Sequence, residues 1–190
     1  TSPLASARLQ KKRGARKKPI ILVMQLATPN IWGSYCRFST AINSAWAQLQ
    51  GHHYLVTPGD YLEADDIWRG GNVRAVLEVM SRIPDDVDWI FHLDCDAAFV
   101  DFSGGDALYK AIKEFATPKT EVILSRDESG FAGTSRLTNM GTGLWRRSTW
   151  TSRLLQRWWD GILIDKAKTE QEILEDLLKQ NTMECLDRIS

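Results

Sequence analysis

The chain has 190 residues, 43% hydrophobic and 25% charged, enough to bury one sizeable core and too few for two comfortable domains. Its formal charge is zero, but Thr1 to Lys18 holds seven basic residues and no acid, which leaves 17 basic against 24 acidic residues elsewhere, a charge of −7. That balance excludes a uniformly basic body that tracks nucleic acid, and three cysteines without Cys-x-x-Cys spacing exclude a disulfide-built scaffold and a zinc cage.

The most apolar run, Ile20 to Ala27 (IILVMQLA), falls well short of the roughly 18 to 20 residues that a membrane span requires. It follows a basic stretch as a signal peptide would, yet it carries Gln25, ends at Thr28-Pro29-Asn30 and lacks a small-residue cleavage site, so it reads as a buried first strand. A first residue of Thr1 in place of Met suits a piece of a longer chain, with any membrane anchor upstream. Phe38, Ile42, Ala45, Trp46 and Leu49 then recur at helical spacing up to Gly51, a C-terminal cap. Tyr54 to Thr57 forms a short second strand stopped by Pro58-Gly59, and Val73, Val76, Leu77, Met80 and Ile83 mark a second helix ending at Pro84.

Trp89 to Leu93 is apolar except for His92 and fits a strand covered on both faces. A helix over about Asp106 to Phe115 and a strand over Glu121 to Ser125 follow. Arg126 to Asn139 is a polar loop of the length that usually carries function. Trp150, Leu154, Leu155, Trp158 and Trp159 share one face of a helix capped near Ser148 or Thr149, and Ile173, Leu174, Leu177 and Leu178 stripe a last one. Eight tryptophans in all favour a packed core over disorder. The alternation predicts a single α/β domain over residues 19–190, a mostly parallel sheet flanked by helices, behind a basic, disordered tail over residues 1–18.

In open α/β sheets ligands bind beyond the carboxyl ends of the strands, and for the middle strand those residues are Asp94-Cys95-Asp96. Two carboxylates at i and i+2 on extended chain project to one side, where they can share a divalent cation whose other ligands are water and substrate phosphates. The second Asp-x-Asp, Asp86-Val87-Asp88, precedes the strand and reads as a solvated turn.

The segments DVDWIFHLDCDAAFVD (Asp86 to Asp101), TNMGTGLWRRSTWTSRLLQRWWD (Thr138 to Asp160) and EQEILEDLL (Glu170 to Leu178) resemble, in order and spacing, successive blocks of a family of retaining glycosyltransferases. That family has the Rossmann-like GT-A fold and includes the yeast and plant Golgi-type galactosyltransferases, mannosyltransferases and xyloglucan xylosyltransferases. The resemblance covers roughly Pro19 to Leu178. It implies a GT-A enzyme that moves a hexosyl or pentosyl group from a nucleotide-diphosphate sugar, a UDP-sugar or GDP-mannose, to a glycan or polysaccharide hydroxyl with retention of configuration. Mn2+ or Mg2+ would be the cofactor. It also implies the luminal side of the Golgi, as part of a type II membrane protein that meets the membrane only through an anchor outside this chain.

Carried over by position, the resemblance puts Asp94 near the ribose and the metal and makes Asp96 the principal metal ligand. It puts Asn139-Met140-Gly141 along the donor sugar and the acceptor side, and Glu170-Gln171 close to the reacting carbon, where an oxocarbenium-like transition state gains from a nearby negative charge or amide oxygen. The chain departs from the family at Thr169, where a second acid is common, and at Gly70, where a basic residue is common. The family's late metal-ligating histidine has no counterpart among His52, His53 and His92, which implies a domain truncated at its C-terminus and an incomplete metal site.

Other candidates are weaker. Arg37 suits a nucleotide phosphate or a surface salt bridge equally, and Asp127 resembles an acid that the family places before its Asn-Gly segment, a sugar contact. His92 reads as a buried histidine bonded within the sheet, His52 and His53 as residues favoured by a helix C-terminus, Trp32 and Trp68 as acceptor contacts, and Cys95 as a small filler. Two other functions compete: a non-catalytic sugar-nucleotide binding module, and a polyanion-binding adaptor acting through Arg8 to Lys18.

Overall fold

The computed structural model describes residues 18–59, 70–125, 139–181, 183 and 185–190. Three parallel strands form its first half. Strand β1 (Ile21–Leu26) lies between β2 (His53–Thr57) and β3 (Trp89–Leu93), with Leu22 opposite both His53 and Ile90. Successive residues of β1 point to opposite faces, and both faces are buried: Ile21 and Val23 on one, Leu22 and Met24 on the other. This is why the run is apolar without alternation.

Beyond β3 the sheet changes direction. Strand β4 (Val122–Ser125) forms the edge, and β5 (Asn139–Arg146) runs antiparallel between β3 and β4, giving the order β2-β1-β3-β5-β4. The sheet is thus mixed where a mostly parallel one was expected, because β5 was not anticipated. Its first half, Asn139-Met140-Gly141-Thr142-Gly143, is poor in strand formers, and pairing on both sides overrides that preference while Leu144 and Trp145 anchor its second half in the core.

Helices cover both faces. A short helical turn (Pro29–Ile31) and a π-helical stretch (Trp32–Cys36) lead into α1 (Arg37–Gln50), which Gly51 closes at φ 75° as the expected left-handed cap. Trp46 and Ala47 of α1 pack on Ile21, Val23 and Leu93, together with Leu108 of α3 (Ala107–Phe115). The opposite face carries α2 (Gly71–Met80), α4 (Thr149–Ile164) and α5 (Glu170–Lys179), whose Val76, Leu154, Trp158 and Leu174 bury Met24 and Ile90. Ser148 caps α4 by accepting from Thr151 N–H. A last short helix, α6 (Cys185–Arg188), leads to residues that run beside β4, with a bridge between Ile189 and Val122. Among the described residues no helix is long and apolar enough to cross a membrane.

Two histidines have definite partners. His92 donates from Nε2 to the Met140 carbonyl at 2.8 Å and accepts from Trp145 Nε1–H at Nδ1 over 2.9 Å, the sheet-bonded role expected of it. Burial lowers its pKa to about 4, against the pull of its backbone hydrogen bonds. His52 is more than a helix-end residue: its Nε2 lies 2.9 Å from Asp106 Oδ2, which Lys18 Nζ also reaches at 3.0 Å. Burial would raise the Asp106 carboxyl, but hydrogen bonds from His52, Tyr109 N–H and Lys18 outweigh it and hold it at about 2.

A histidine kept neutral in the fold couples unfolding to proton uptake. The unfolded imidazole protonates below about pH 6.5 and the folded one only below about 4, so its contribution is complete above the first value and lost as pH falls toward the second, up to about 3 kcal/mol. Urea titrations between pH 7 and 4.5 are expected to show this decline, and His92→Gln is expected to flatten it. Equal slopes in the two proteins would contradict the assignment.

Candidate functional site

Strands β1 and β3 end, and β5 begins, at one edge of the sheet. There the backbone N–H of Asp94 donates to the Gly141 carbonyl at 2.8 Å, prolonging the β3–β5 ladder by one bond. Asp94-Cys95-Asp96-Ala97 then folds into a turn, closed by Ala97 N–H on the Asp94 carbonyl at 3.0 Å. The pair is therefore not on extended chain as the spacing suggested, yet both carboxylates still line one cavity of about 280 Å3, in company with Asn72 and Glu170. Ile31 and Tyr35 form its wall on the side of the first crossover.

A buried amide network fixes this turn. Gln25, wholly buried at the end of β1, donates to the Asp94 carbonyl at 3.1 Å, and its Oε1 accepts from Asn43 Nδ2 at 3.0 Å and from the Tyr54 hydroxyl. Asn43, on the inner face of α1, also donates to the Ala97 carbonyl and accepts from Phe99 N–H, each at 2.9 Å. Ser39, one turn earlier, reaches the Cys95 carbonyl. Cys95 itself is no mere filler: it is disulfide-bonded to Cys36 across 59 residues of sequence, so the middle residue of the turn is covalently tied to the helical segment after β1.

Asp94 is tightly held. Its Oδ1 accepts from Asn72 Nδ2 at 2.7 Å. A Cβ at Gly141 would come within 2.9 Å of Asp94 Oδ2 and 3.0 Å of Asn139 Oδ1, so only glycine leaves the carboxylate where it is. Burial raises its pKa to about 6; the Asn72 hydrogen bond opposes the shift, and the charges of Asp96 and Glu170 add to it. Asp96 is exposed at the cavity mouth. Among the described residues no three His, Cys, Asp or Glu side chains gather closely enough to hold an ion by themselves. The all-oxygen pair Asp94 and Asp96 suits a hard divalent cation that keeps water and substrate oxygens as its remaining ligands.

Two helix N-termini border the same cavity. Gly70, Gly71 and Asn72 open α2, and Glu170 is the first residue of α5, so the ends at which the two helices carry positive dipole charge lie beside the carboxylates. Both departures from the family pattern have local causes. Thr169 caps α5 in a reciprocal capping box with Glu172. Gly70 has φ 132°, and a Cβ there would meet Ile162 at 2.6 Å, which bars a basic side chain.

Of the residues singled out in the sequence, Asp94, Asp96 and Glu170 meet at this cavity. Gly141 and Asn139 lie behind Asp94, with Asn139 Oδ1 accepting from Gly141 N–H at 2.7 Å. Gln171 follows Glu170 in the first turn of α5 but is not part of the cavity lining, and neither is Arg37, which lies exposed with its guanidinium 4.7 Å above the Phe38 ring. Trp32 is exposed on the π-helical stretch. Asp127 and Trp68 lie outside the described residues. Asn72, Gln25 and Asn43 were missed. Only Gln25 left a mark in the sequence, as the single polar residue of a run that must be buried and therefore hydrogen-bonded.

No family model matches the chain, and no curated protein matches it. Among solved structures it is similar to a glycosyltransferase involved in the glycosylation of the major capsid of PBCV-1, at 12% identity and a TM-score of 0.60, over 75% of this chain and 66% of that one. It is also similar to the glycosyltransferase GlyE of Streptococcus pneumoniae TIGR4, at 14% identity and a TM-score of 0.54, over 90% of this chain and 45% of that one. The likeness is one of fold, a GT-A-like α/β domain, and the chain spans just under two thirds of the first protein and under half of the second.

Removing Asn43 tests whether the amide network holds the turn. Asn43→Ala deletes three hydrogen bonds, one buried and two partly buried, and leaves Gln25 Oε1 with one donor fewer, so urea denaturation is expected to show a loss of about 2–4 kcal/mol. Amides 95 to 99 are expected to exchange faster than those of β1. A loss under about 0.5 kcal/mol would mean that the network is dispensable.

Proposed function

We propose that the chain is the nucleotide-binding part of a metal-dependent glycosyltransferase, one that takes a sugar from a nucleotide-diphosphate donor and delivers it to a glycan hydroxyl. The observation that carries the reading is the meeting of Asp94, Asp96 and Glu170 at one cavity beyond the central strand, bordered by the N-termini of α2 and α5. The GT-A-like fold supports the same conclusion.

In this reading Asp94 and Asp96 hold Mn2+ or Mg2+. When bound, the ion neutralises the diphosphate of the donor and, as a Lewis acid, the charge that develops on it as the sugar departs. The protein supplies the rest. Asn72 donates to Asp94 Oδ1 and so fixes the rotamer of that carboxylate before any ligand arrives, which lowers the ordering cost of binding. Gly141 contributes a surface without a side chain against which Asp94 packs. The amide ends of α2 and α5 stabilise negative charge on the phosphates. Glu170, on the α5 side of the cavity, places a carboxylate where positive charge at an anomeric carbon would be stabilised. Transfer with retention, with Gln171 assisting Glu170, follows from the resemblance to the yeast and plant enzymes and belongs to the same proposal.

The Cys36–Cys95 bridge suits an oxidising compartment, in agreement with a location in the Golgi lumen. Lys18, the last residue of the basic segment, is occupied with the Gln50 carbonyl and Asp106, which favours the transferase over an adaptor that presents the whole run to a polyanion.

Calorimetry of the whole chain with UDP and with GDP, with and without Mn2+, tests the reading. Binding of one nucleotide is expected only with the metal, and an Asp94→Asn, Asp96→Asn double variant is expected to lose it by at least about 100-fold, or about 2.7 kcal/mol. Gly141→Ala is expected to weaken it by about tenfold through the displaced Asp94. Metal-independent binding, or an unaffected double variant, would refute the proposal. Binding without hydrolysis or transfer across a panel of UDP-sugars and GDP-mannose would instead identify a non-catalytic module.

A further inference from the structure

One wall of the cavity is anchored by the disulfide. Between Thr28 and the start of α1 the chain forms the helical turn Pro29–Ile31 and the π-helical stretch Trp32–Cys36, and Ile31 and Tyr35 of this segment line the cavity beside Asp94 and Asp96. Within the π-helical stretch Cys36 alone is buried, while Trp32 and Tyr35 are 45% and 47% exposed. The packing beneath is a small cluster of Ala27, Cys36 and Cys95, with Ile31 and Val56 against it, separate from the two large clusters that hold the sheet. The bridge thus ties to the site a segment that packing holds only lightly.

The other end of the bridge is firmly set. Hydrogen bonds from Gln25 to the Asp94 carbonyl, from Ser39 to the Cys95 carbonyl and from Asn43 to the Ala97 carbonyl fix the turn, and none of them uses a sulfur atom. Cys95 also lines the cavity, which gives a small thiol a route to it. Opening the bridge therefore frees the wall before the turn. We infer that Cys36–Cys95 is a redox latch on the donor cavity: closed, it holds Ile31 and Tyr35 in place and the nucleotide binds; opened by a dithiol, it releases them and the affinity falls. The inference rests on the proposed sugar transfer and adds a regulation of that site, with Cys36 acting through Cys95 as a positioning residue.

In the opening step one sulfur of the dithiol attacks Cys95 Sγ, the bond between the two Sγ atoms breaks, and Cys36 leaves as a thiolate; the second dithiol sulfur then displaces Cys95 from the mixed disulfide. The two protons of the dithiol end on the cysteines, and the dithiol departs as a cyclic disulfide, oxidised by two electrons. By linkage, a nucleotide that prefers the closed latch makes the bridge harder to reduce by the same factor. A chain that is reduced while it is made gains its full affinity only in an oxidising compartment.

Calorimetry of the whole chain with UDP and with GDP, each with Mn2+, tests the latch in the oxidised protein, after reduction by dithiothreitol, and in a Cys36→Ala, Cys95→Ala double variant that needs no reductant. The oxidised protein is expected to bind one nucleotide, and the reduced protein to bind it at least about tenfold more weakly, because the ligand must then order the wall itself. The double variant is expected to match the reduced protein and to ignore dithiothreitol, which separates the bridge from the free thiol of Cys185. Hydrogen exchange in the reduced protein is expected to quicken at amides 31–36 and not in β1 or β3. Saturating nucleotide is expected to move the midpoint of reduction to higher dithiothreitol by the same factor of about ten. Should circular dichroism show the double variant unfolded, the exchange pattern and the midpoint of the unaltered protein decide. Equal affinities before and after reduction overturn the inference and leave the sugar-transfer reading standing; no nucleotide binding even by the oxidised protein overturns both. Exchange that quickens throughout the fold also overturns it, since the bridge is then only a staple. So does a folded double variant whose affinity still falls with dithiothreitol, since that effect belongs to Cys185.

Discussion

The site depends on a polar interaction placed where apolar packing would otherwise be expected. Gln25 and Asn43 face each other across the seam between β1 and α1, and between them they satisfy two carbonyls and one N–H of the turn that follows β3. A loop that turns at the end of a buried strand exposes backbone groups that the ladder no longer pairs. Here two primary amides take them up, and the two are bonded to each other. Because an unmet buried amide costs more than a met one contributes, the network is an all-or-none constraint. It holds the turn in one conformation or it becomes a liability.

The disulfide and the glycine act on the same few atoms from other directions. Cys36 pins the centre of the turn to the segment after β1, and Gly141 lets the β5 backbone approach Asp94 closely. With Asn72 on a third side, Asp94 has little freedom left, while Asp96 stays at the solvent edge. The two carboxylates thus differ in setting: Asp94 is half-buried and held on three sides, its proton affinity raised by its surroundings, and Asp96 is exposed.

Much of this architecture was legible in the sequence because its causes are local. The apolar runs of β1 and β3, the Gly51 cap and the tryptophan stripe of α4 each announce themselves through periodicity or punctuation. The position of Asp94 and Asp96 after an apolar strand was equally plain. What stayed hidden is what depends on distant partners. Strand β5 begins with residues that prefer turns and is a strand only because β3 and β4 flank it. Asn72 looks like any residue near a helix start until Asp94 is set beside it. The Cys36–Cys95 pairing joins residues 59 apart, and the reading that three cysteines are too few for a disulfide-built scaffold left open a single bridge that serves one turn.

The antiparallel insertion of β5 has a bearing on biosynthesis. The carboxylate turn leaves the ribosome well before residues 139–146, and its Asp94 N–H bond to Gly141 has no partner until they follow. A nascent chain that has made only the first three strands can collapse around β1, but the pocket acquires its final shape when the late strand slides between β3 and β4. The cavity therefore takes its final shape late in synthesis, once residues 139–146 have followed the three parallel strands out of the ribosome.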